Sequence, residues 1–406
     1  MLKPVFPASE YEARISRLQD RLSALGLGGA IFTSEANVNY FAGYHSFAPW
    51  STFCRSVFAC IPTVGAPALL VHAFPLADAR RDCWFDDVRG YEDLTYAPVG
   101  MVAAIAAELG MTDAGVGMEL GAEHRIGLTG NEFDDVRNAL QPTPIVDVGD
   151  IVWDLRMIKS EAEIALLVES GRIAAAAFEA TYSQLRIGMT ELDVAAALGQ
   201  TIAAEGGRVG FFVVTSGPGS YDRTAGHPRD RALEDGDMLW VDLGVVHGGY
   251  WTDHCRAAVI GRASDEQRDH WNAVRELTEA AVQRCLPGRT PVDIVDGLEA
   301  DAAARGLHFT FAAGRSGHGI GLMSTEPPHI ARYDNTVFRE GMAITIEPGW
   351  VDQRLGTFVA EENLIIRAGS PQLLTVTPRE LVEVGGIRSR RLRQQGGIDV
   401  PKSSSR

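Results

Sequence analysis

The sequence has few cysteines, and their spacing suits neither a disulfide framework nor a structural zinc site. Five cysteines are scattered over 406 residues, at positions 54, 60, 83, 255 and 285, without a Cys-x-x-Cys pair. An odd number of dispersed cysteines argues against a secreted, disulfide-stabilised class and favours a reducing compartment. We therefore expect a cytoplasmic protein.

Positive charge and long apolar runs are also scarce. The chain has 37 basic and 53 acidic side chains, a formal net charge of −16, which disfavours binding to nucleic acid or to an anionic membrane. No run reaches the roughly 18 apolar residues of a membrane helix, and the first residues lack the apolar core of a signal peptide. The 46% of apolar and 22% of charged residues are typical of a globular protein, and the length suggests two domains. We expect no nucleic-acid partner and no membrane partner.

The first part of the chain alternates between helical and strand patterns. Apolar residues at helical spacing and short apolar runs follow one another at 11–25, 29–33, 68–71, 101–109, 115–119 and 144–147. Such an alternation predicts an α/β domain of three layers with a mostly parallel sheet.

The rest of the chain contains an internal repeat with a constant offset of 100 residues. Residues 188–198 resemble residues 288–298, and both segments follow a long helical pattern, at 160–184 and 264–285. Each copy has a Gly-x-Thr turn followed by a second helix that its threonine caps. Two copies are too few for a solenoid, so they predict one α+β domain with pseudo-two-fold symmetry. The expected units are an N-terminal domain at 1–154, a second domain at 155–388 and a flexible basic tail at 389–406.

Acidic and imidazole side chains interrupt the strand patterns of the second domain. A carboxylate in an apolar strand is costly unless it is paired or binds a metal. Four carboxylates and a neutral imidazole carry a charge of about −4, so they can hold two divalent ions (Mn, Co, Fe or Zn) with bridging carboxylates. Alternation along the strand puts the last two glutamates on opposite faces but does not choose between them. The candidates are Asp242, Asp253, His318, Glu347, and either Glu361 or Glu362.

These motifs resemble those of the pita-bread metallohydrolases, which include methionine aminopeptidase, aminopeptidase P, prolidase and creatinase. The resemblance covers nearly the whole chain and implies a creatinase-like N-terminal domain followed by a pita-bread catalytic domain. It also identifies the first of the two glutamates as the ligand. The matching segments are Asp-Leu-Gly from Asp242, Gly-Tyr-Trp-Thr-Asp ending at Asp253, Gly-His-Gly-Ile-Gly around His318, Ile-Glu-Pro-Gly around Glu347, and Glu-Glu-Asn-Leu-Ile-Ile from Glu361.

By this resemblance the chain is a hydrolase that uses two divalent metal ions to activate water. Asp242 would chelate one ion, Asp253 and Glu361 would bridge both, and His318 and Glu347 would complete the second. Two such ions lower the pKa of a shared water and stabilise the charge that develops at the attacked carbon. Glu347 would also accept the proton of that water and pass it on.

Two histidines of the proline-directed members of the family are missing. One belongs seven residues after His318, where this sequence has Thr325, and the other belongs upstream of Asp242, where it has Ala225. Thr325 is therefore a candidate substrate-binding residue. His227 is a candidate catalytic substitute for the second histidine, and a surface-loop histidine is the competing interpretation.

A segment near the N-terminus resembles the loop that creatinase-like dimers insert into the partner's active site. It contains Trp50 and Arg55, and aromatic and arginine anchors are favoured at interfaces. A packed aromatic and a surface salt bridge are the competing interpretations. The resemblance implies a homodimer in which Trp50 and Arg55 contribute to substrate binding.

The residues leave several functional hypotheses open. The complete ligand set favours a Xaa-Pro dipeptidase or aminopeptidase that acts on small peptides. The missing histidines favour a C–N hydrolase or lyase of the same fold that acts on a small molecule such as creatine, ectoine or dimethylsulfoniopropionate. The relative that cleaves dimethylsulfoniopropionate has an additional Asp where this sequence has Gly244. A module that binds metal without turnover is the third hypothesis, and five intact ligands argue against it.

Overall fold

The computed structural model describes residues 5–46, 55–307 and 314–384. Its N-terminal part alternates helices with strands, as the hydrophobic pattern predicts. The elements are, in chain order, α1 (Ala8–Ala24), β1 (Leu27–Phe32), α2 (Glu35–Ala42), β2 (Phe58–Pro62), β3 (Ala68–His72), α3 (Leu76–Asp82), β4 (Asp87–Tyr91), α4 (Val99–Glu108), β5 (Gly115–Met118), α5 (Gly130–Ala139), β6 (Ile145–Asp147) and α6 (Gly149–Met157).

The six strands of this part form one mixed sheet in the order β4-β3-β2-β1-β5-β6. The pairs β3–β4, β1–β5 and β5–β6 are parallel, whereas β1–β2 and β2–β3 are antiparallel. Parallel pairings are thus only a small majority. An apolar run shows that a strand is buried but not its direction, so the antiparallel strands leave no trace in the pattern.

Helices cover both faces of this sheet. Side chains alternate along β1, where Phe32 packs in the same cluster as Leu18 and Leu22 of α1. The neighbouring Ile31 lies in a second cluster with Ile105 of α4. Because adjacent residues of one strand serve two helix layers, the predicted three-layer α/β architecture is confirmed.

The second part contains two helix pairs and three further sheets. Its elements are, in chain order, α7 (Glu161–Tyr182), α8 (Glu191–Ala204), β7 (Arg208–Ser216), β8 (Met238–His247), β9 (Tyr250–Ile260), α9 (Asp265–Arg284), α10 (Pro291–Ala304), β10 (His318–Gly319), β11 (Glu326–His329), β12 (Ala343–Ile346), β13 (Gly349–Asp352), β14 (Gly356–Val359), β15 (Glu362–Ile365), β16 (Gln372–Leu373) and β17 (Val382–Val384). The two main sheets have the strand orders β17-β9-β8-β7 and β11-β10-β12-β15-β16, and β13 and β14 form a hairpin.

The helices of this part reproduce the internal repeat of the sequence. Helices α8 and α10 begin and end 100 residues apart, and each opens with a capping box, from Thr190 and Thr290. The turns before them contain Gly188 and Gly288 with φ of 85° and 86°, a left-handed conformation that glycine adopts without steric cost. Helices α7 and α9 also begin with capping boxes. The expected pita-bread domain with two related halves is therefore confirmed.

Each helix pair packs on one face of its own sheet and leaves the other face for the site. On β8, Val241 and Leu243 belong to the cluster under α7 and α8, so the intervening Asp242 points to the opposite side. In the second half, Ile344 and Leu364 pack in a cluster with residues of α9 and α10. No helix in the described ranges is both long enough and apolar enough to cross a membrane.

Candidate metal centre

The β8–β9 hairpin places two aspartates on one face of its sheet. In the antiparallel register Asp242 lies opposite Cys255, and Asp253 lies opposite Gly244. Residues two apart on a strand share a face, so Asp242 and Asp253 are diagonal neighbours. Their separation in the sequence is therefore the length of one tight hairpin.

The second half supplies the remaining candidate ligands at the ends of three strands. His318 begins β10, Glu347 directly follows β12, and Glu361 directly precedes β15. Nε2 of His318 lies 3.5 Å from Oε1 of Glu347 and 3.7 Å from Oδ2 of Asp253. Asp253, His318 and Glu361 each have a ligand atom within 4.8 Å of those of the other two. Strand ends of both halves thus meet in one acidic cluster, which consists of Asp242, Asp253, His318, Glu347 and Glu361.

The two adjacent glutamates have different surroundings. The carboxylate of Glu362 accepts hydrogen bonds from Nη2 of Arg256 at 2.9 Å, from Nε of Arg379 at 2.7 Å and from the hydroxyl of Thr375. Arg256 also donates to the backbone carbonyl of Glu361 at 2.8 Å. Glu362 therefore neutralises a buried arginine, and Glu361 faces the cluster.

Burial raises the pKa of each carboxylate of the cluster, and neighbouring carboxylates raise the pKa of Asp253, Glu347 and Glu361 further. Burial raises the pKa of Asp242 to about 6, and burial together with the charge of Asp242 raises the pKa of Glu347 to about 7. Burial and the neighbouring carboxylates hold the pKa of Asp253 and of Glu361 well above the usual range. Oδ1 of Asp242 and Oε1 of Glu361 are buried and have no hydrogen-bond partner in the described part of the chain. Crowded carboxylates with unpartnered oxygens fit divalent cations, which supply the balancing charge.

His318 is neutral and offers its lone pair to the cluster. Its Nδ1 lies 2.9 Å from the carbonyl oxygen of Gly319. Because a carbonyl only accepts, Nδ1 carries the proton and Nε2 is free to bind a cation. Burial, reinforced by the charge of Arg315, lowers the pKa of His318 to about 3. The neutral imidazole is the form that binds metal.

Asn363 joins the two halves of the cluster, and sequence reasoning did not identify this role. Its Oδ1 accepts from the backbone N–H of Asp253 at 3.0 Å and from the hydroxyl of Thr252 at 3.0 Å. Its Nδ2 donates to the carbonyl of Asp253. Asn363 lies two residues after Glu361, on the same face of the strand. That period-two spacing was the only signal in the sequence.

The other residues that the sequence predicts for the site are Thr325, His227, Arg55 and Trp50. Thr325 accepts a hydrogen bond from Nη2 of Arg315 at 3.3 Å. His227 is exposed on the loop between β7 and β8, where its carbonyl accepts from Arg223 at 2.8 Å. Arg55 lines a cavity of about 410 Å³ in the N-terminal part. Trp50 falls outside the described residues, as do 385–406 with the predicted basic tail.

Comparison with known proteins relates this arrangement to one family. The model of metallopeptidase family M24 matches residues 165–371, and that of the creatinase/prolidase N-terminal domain matches residues 14–158. A Xaa-Pro dipeptidase of Pyrococcus horikoshii is 33% identical over 244 residues, which cover 58% of this chain and 67% of that protein. A Mycobacterium tuberculosis protein named "Probable dipeptidase PepE" is 29% identical over 93% of this chain and 98% of its own length.

The fold agrees with these matches. A solved structure of a Xaa-Pro dipeptidase from Bacillus anthracis superposes with a TM-score of 0.81 at 24% identity and covers 92% of this chain and 100% of that chain. The M24 match extends over just over half of the chain and contains the whole acidic cluster. The chain therefore belongs to metallopeptidase family M24 and is a peptidase-type hydrolase.

Proposed function

We propose that this chain is a Xaa-Pro dipeptidase with a dinuclear divalent metal centre. The observation that carries the proposal is the buried meeting of Asp253, His318 and Glu361, beside carboxylate oxygens that lack any other partner. The dipeptidases among the similar proteins supply the substrate class. Asp242 would hold one ion, Asp253 and Glu361 would bridge both, and His318 and Glu347 would complete the second.

The side chains of the cluster provide the proton chemistry of the proposed reaction. Bound divalent ions, of Mn, Co, Fe or Zn, would acidify a water and stabilise negative charge at the scissile carbonyl. Glu347 is the group that would accept and return a proton, because its carboxylate lies 3.5 Å from the imidazole of His318 and therefore beside the water that the ions would activate. Its side chain is about 27% exposed, so it also has access to solvent.

The test is hydrolysis of a dipeptide panel by protein loaded with Mn²⁺ or Co²⁺. We expect amino acids to be released from Xaa-Pro dipeptides, with two ions per chain by elemental analysis. Asp253→Asn should abolish activity and metal binding. The matched control Asp265→Asn alters an aspartate whose side chain is 97% exposed on α9 and should change neither. A metal-replete protein that cleaves no dipeptide would refute the proposal, and a single ion per chain would refute its dinuclear part.

A second candidate is a small-molecule C–N hydrolase or lyase, favoured by the surroundings of the cluster. Thr325 occupies one expected histidine position, and the side chain of His227 is exposed. A dimethylsulfoniopropionate substrate is disfavoured, because Gly244 supplies no carboxylate at the position of the additional Asp. Mass spectrometry of creatine and ectoine incubations distinguishes this candidate from the peptidase.

We also propose that the enzyme is a cytoplasmic homodimer whose segment 44–55 completes the partner's site. The division into domains at 1–154 and 155–388 belongs to the same proposal. Support comes from the resemblance of this segment and from the position of Arg55 among the residues that line the N-terminal cavity. Mixing Arg55→Lys with Asp253→Ala subunits should restore activity if the sites are shared. A fully active monomer in sedimentation would contradict it.

A further inference from the structure

The loop between β10 and β11 joins His318 to the other half of the acidic cluster. Residues 320–325 form this loop, which directly follows β10. The carbonyl of Gly321 accepts the backbone N–H of Trp251 at 2.8 Å, and Trp251 lies on β9 two residues before Asp253. The loop therefore ties the strand of His318 to the strand of Asp253, and Nε2 of the histidine lies 3.7 Å from Oδ2 of the aspartate.

The side chain of Glu326 folds back over this loop. Glu326 begins β11, and its Oε1 accepts the backbone N–H of Met323 at 3.2 Å. A Cβ on Gly321 would lie 2.8 Å from Oε2 and 2.9 Å from Oε1 of Glu326, so the carboxylate packs directly against the glycine. The missing side chain at 321 makes room for the carboxylate, and the carboxylate holds the loop.

Two buried cations hold the carboxylate of Glu326. Arg156 of α6, 170 residues away in the sequence, donates from Nη2 to Oε1, and Nζ of Lys159 donates to Oε2 at 3.2 Å. The side chains of all three residues are at most 2% exposed. Burial raises the pKa of Glu326, but the charges of Arg156 and Lys159 lower it to about 2. The carboxylate is therefore ionised and remains an acceptor for the loop.

The N-terminal part of the chain fixes the guanidinium of Arg156. Nη1 of Arg156 donates to Oδ1 of Asn37 on α2 at 2.8 Å, and Cζ lies 4.6 Å from the ring centroid of Trp153. Asn37 is 0% exposed, so water does not readily compete for this oxygen. A planar guanidinium that binds an amide, a ring and a carboxylate is restricted to one orientation. The contacts thus extend from α2 to the loop beside the cluster.

We propose that Glu326 is a positioning residue of the metal centre, through which the N-terminal part of the chain raises the metal affinity of the second part. This inference rests on the proposed metal centre and is independent of the substrate. Among the described residues, Arg156 and Asn37 act through Glu326, because of these three only Glu326 binds the loop. Replacing a residue that orients metal ligands typically weakens metal binding about 10- to 100-fold.

The test is calorimetric titration of Mn²⁺ into metal-free, full-length variants whose folding is checked by circular dichroism. Glu326→Gln should raise the Kd for Mn²⁺ about tenfold. Asn37→Leu should raise it about threefold, because Glu326 and Trp153 still hold the guanidinium. The control Val116→Ala removes buried methyl groups from β5. It should lower the denaturation midpoint without changing the Kd, so it separates a loss of stability from a loss of position.

A triple variant separates stability from position in the loop itself. Arg156→Met/Lys159→Met/Glu326→Leu replaces the buried ion cluster by apolar side chains, a change that is often neutral or stabilising. It also removes the acceptor of the Met323 N–H. We expect a denaturation midpoint close to that of the wild type, together with a Kd for Mn²⁺ that is about tenfold higher.

The outcomes distinguish this inference from the metal centre on which it rests. A wild-type Kd in Glu326→Gln and in the triple variant would overturn the role of Glu326 and leave the proposed metal centre standing. A wild-type protein that does not bind Mn²⁺ would overturn both. If Glu326→Gln does not fold, the triple variant decides, supported by hydrogen exchange of the metal-free wild type. The Met323 amide should be protected there, and exchange at the rate of an unstructured peptide would refute the contact that carries the inference.

Discussion

Replacement of Asn363 by leucine tests whether the amide bridge holds the metal cluster together. The backbone N–H and C=O of Asp253 that turn away from β8 are both bound by the Asn363 side chain. Leucine has the same branching and the same number of side-chain heavy atoms as asparagine, so the change removes hydrogen bonds without opening a cavity. Asn363 is about 1% exposed, so water does not readily replace the lost partners.

The expected magnitude follows from the groups left unpaired. The N–H and C=O of Asp253 and the hydroxyl of Thr252 each lose a partner, and a buried unsatisfied group costs about 1–3 kcal/mol. We expect Asn363→Leu to lower the free energy of unfolding by about 3–5 kcal/mol, because local relaxation recovers part of the sum. Asp253 would also be released from its position relative to Glu361, so metal affinity should fall about 10- to 100-fold.

Chemical denaturation and calorimetric titration with Mn²⁺ measure these two effects. Asn138→Leu, at an exposed position of α5, is the control and should change neither quantity beyond about 0.5 kcal/mol. A variant at Asn363 with wild-type stability and wild-type Mn²⁺ affinity would show that the amide does not position Asp253. A loss of stability with unchanged affinity would restrict the role of Asn363 to packing.

Three further changes test the remaining structural arguments. Asp253→Ala should abolish Mn²⁺ binding in a folded protein, and full metal content by elemental analysis would contradict the ligand assignment. Burial raises the pKa of Glu119 from 4.5 to about 7. As the pH rises through this window, the free energy of unfolding of the wild type should therefore fall by up to about 3 kcal/mol relative to that of Glu119→Gln. Equal differences between the two proteins at pH 4 and pH 8 would contradict this. Glu326→Gln leaves Arg156 and Lys159 buried without their shared carboxylate. The free energy of unfolding from denaturant titrations should fall by about 3–5 kcal/mol, and a loss within 1 kcal/mol would contradict this.

The repeat and the boundaries of its four helices were predictable because their signals are local. Capping boxes and Gly-x-Thr turns are read from four or five consecutive residues, and both copies fold as their sequences indicate. Strand direction was not predictable, since β2 pairs antiparallel with β1 through residues far along the chain. The two-residue strand β10 is too short to show a period-two pattern, and the two prolines of β11 argue against a strand in the sequence.

The ligands of the metal cluster were predictable for a similar reason. A carboxylate in an apolar strand conflicts with its surroundings, and that conflict is visible in a few residues around Asp242 or Glu347. The residues that position these ligands show no such conflict in the sequence, because an asparagine or an arginine near a turn is equally compatible with exposure to solvent. Arg156 and Glu326 are 170 residues apart in the sequence, so only the folded chain shows that they touch.

The division of the cluster between the two halves explains why its supports cross between them. The β8–β9 hairpin contributes two carboxylates, and the strands of the second half contribute two more, so the halves repel each other where they meet. Asn363 ties β15 to Asp253, and Arg256 of β9 binds both the carbonyl of Glu361 and the carboxylate of Glu362. These contacts hold the halves at a fixed distance against that repulsion. Because the supports are amides, backbone groups and one neutralised arginine, they oppose the repulsion without cancelling the charge that binds cations.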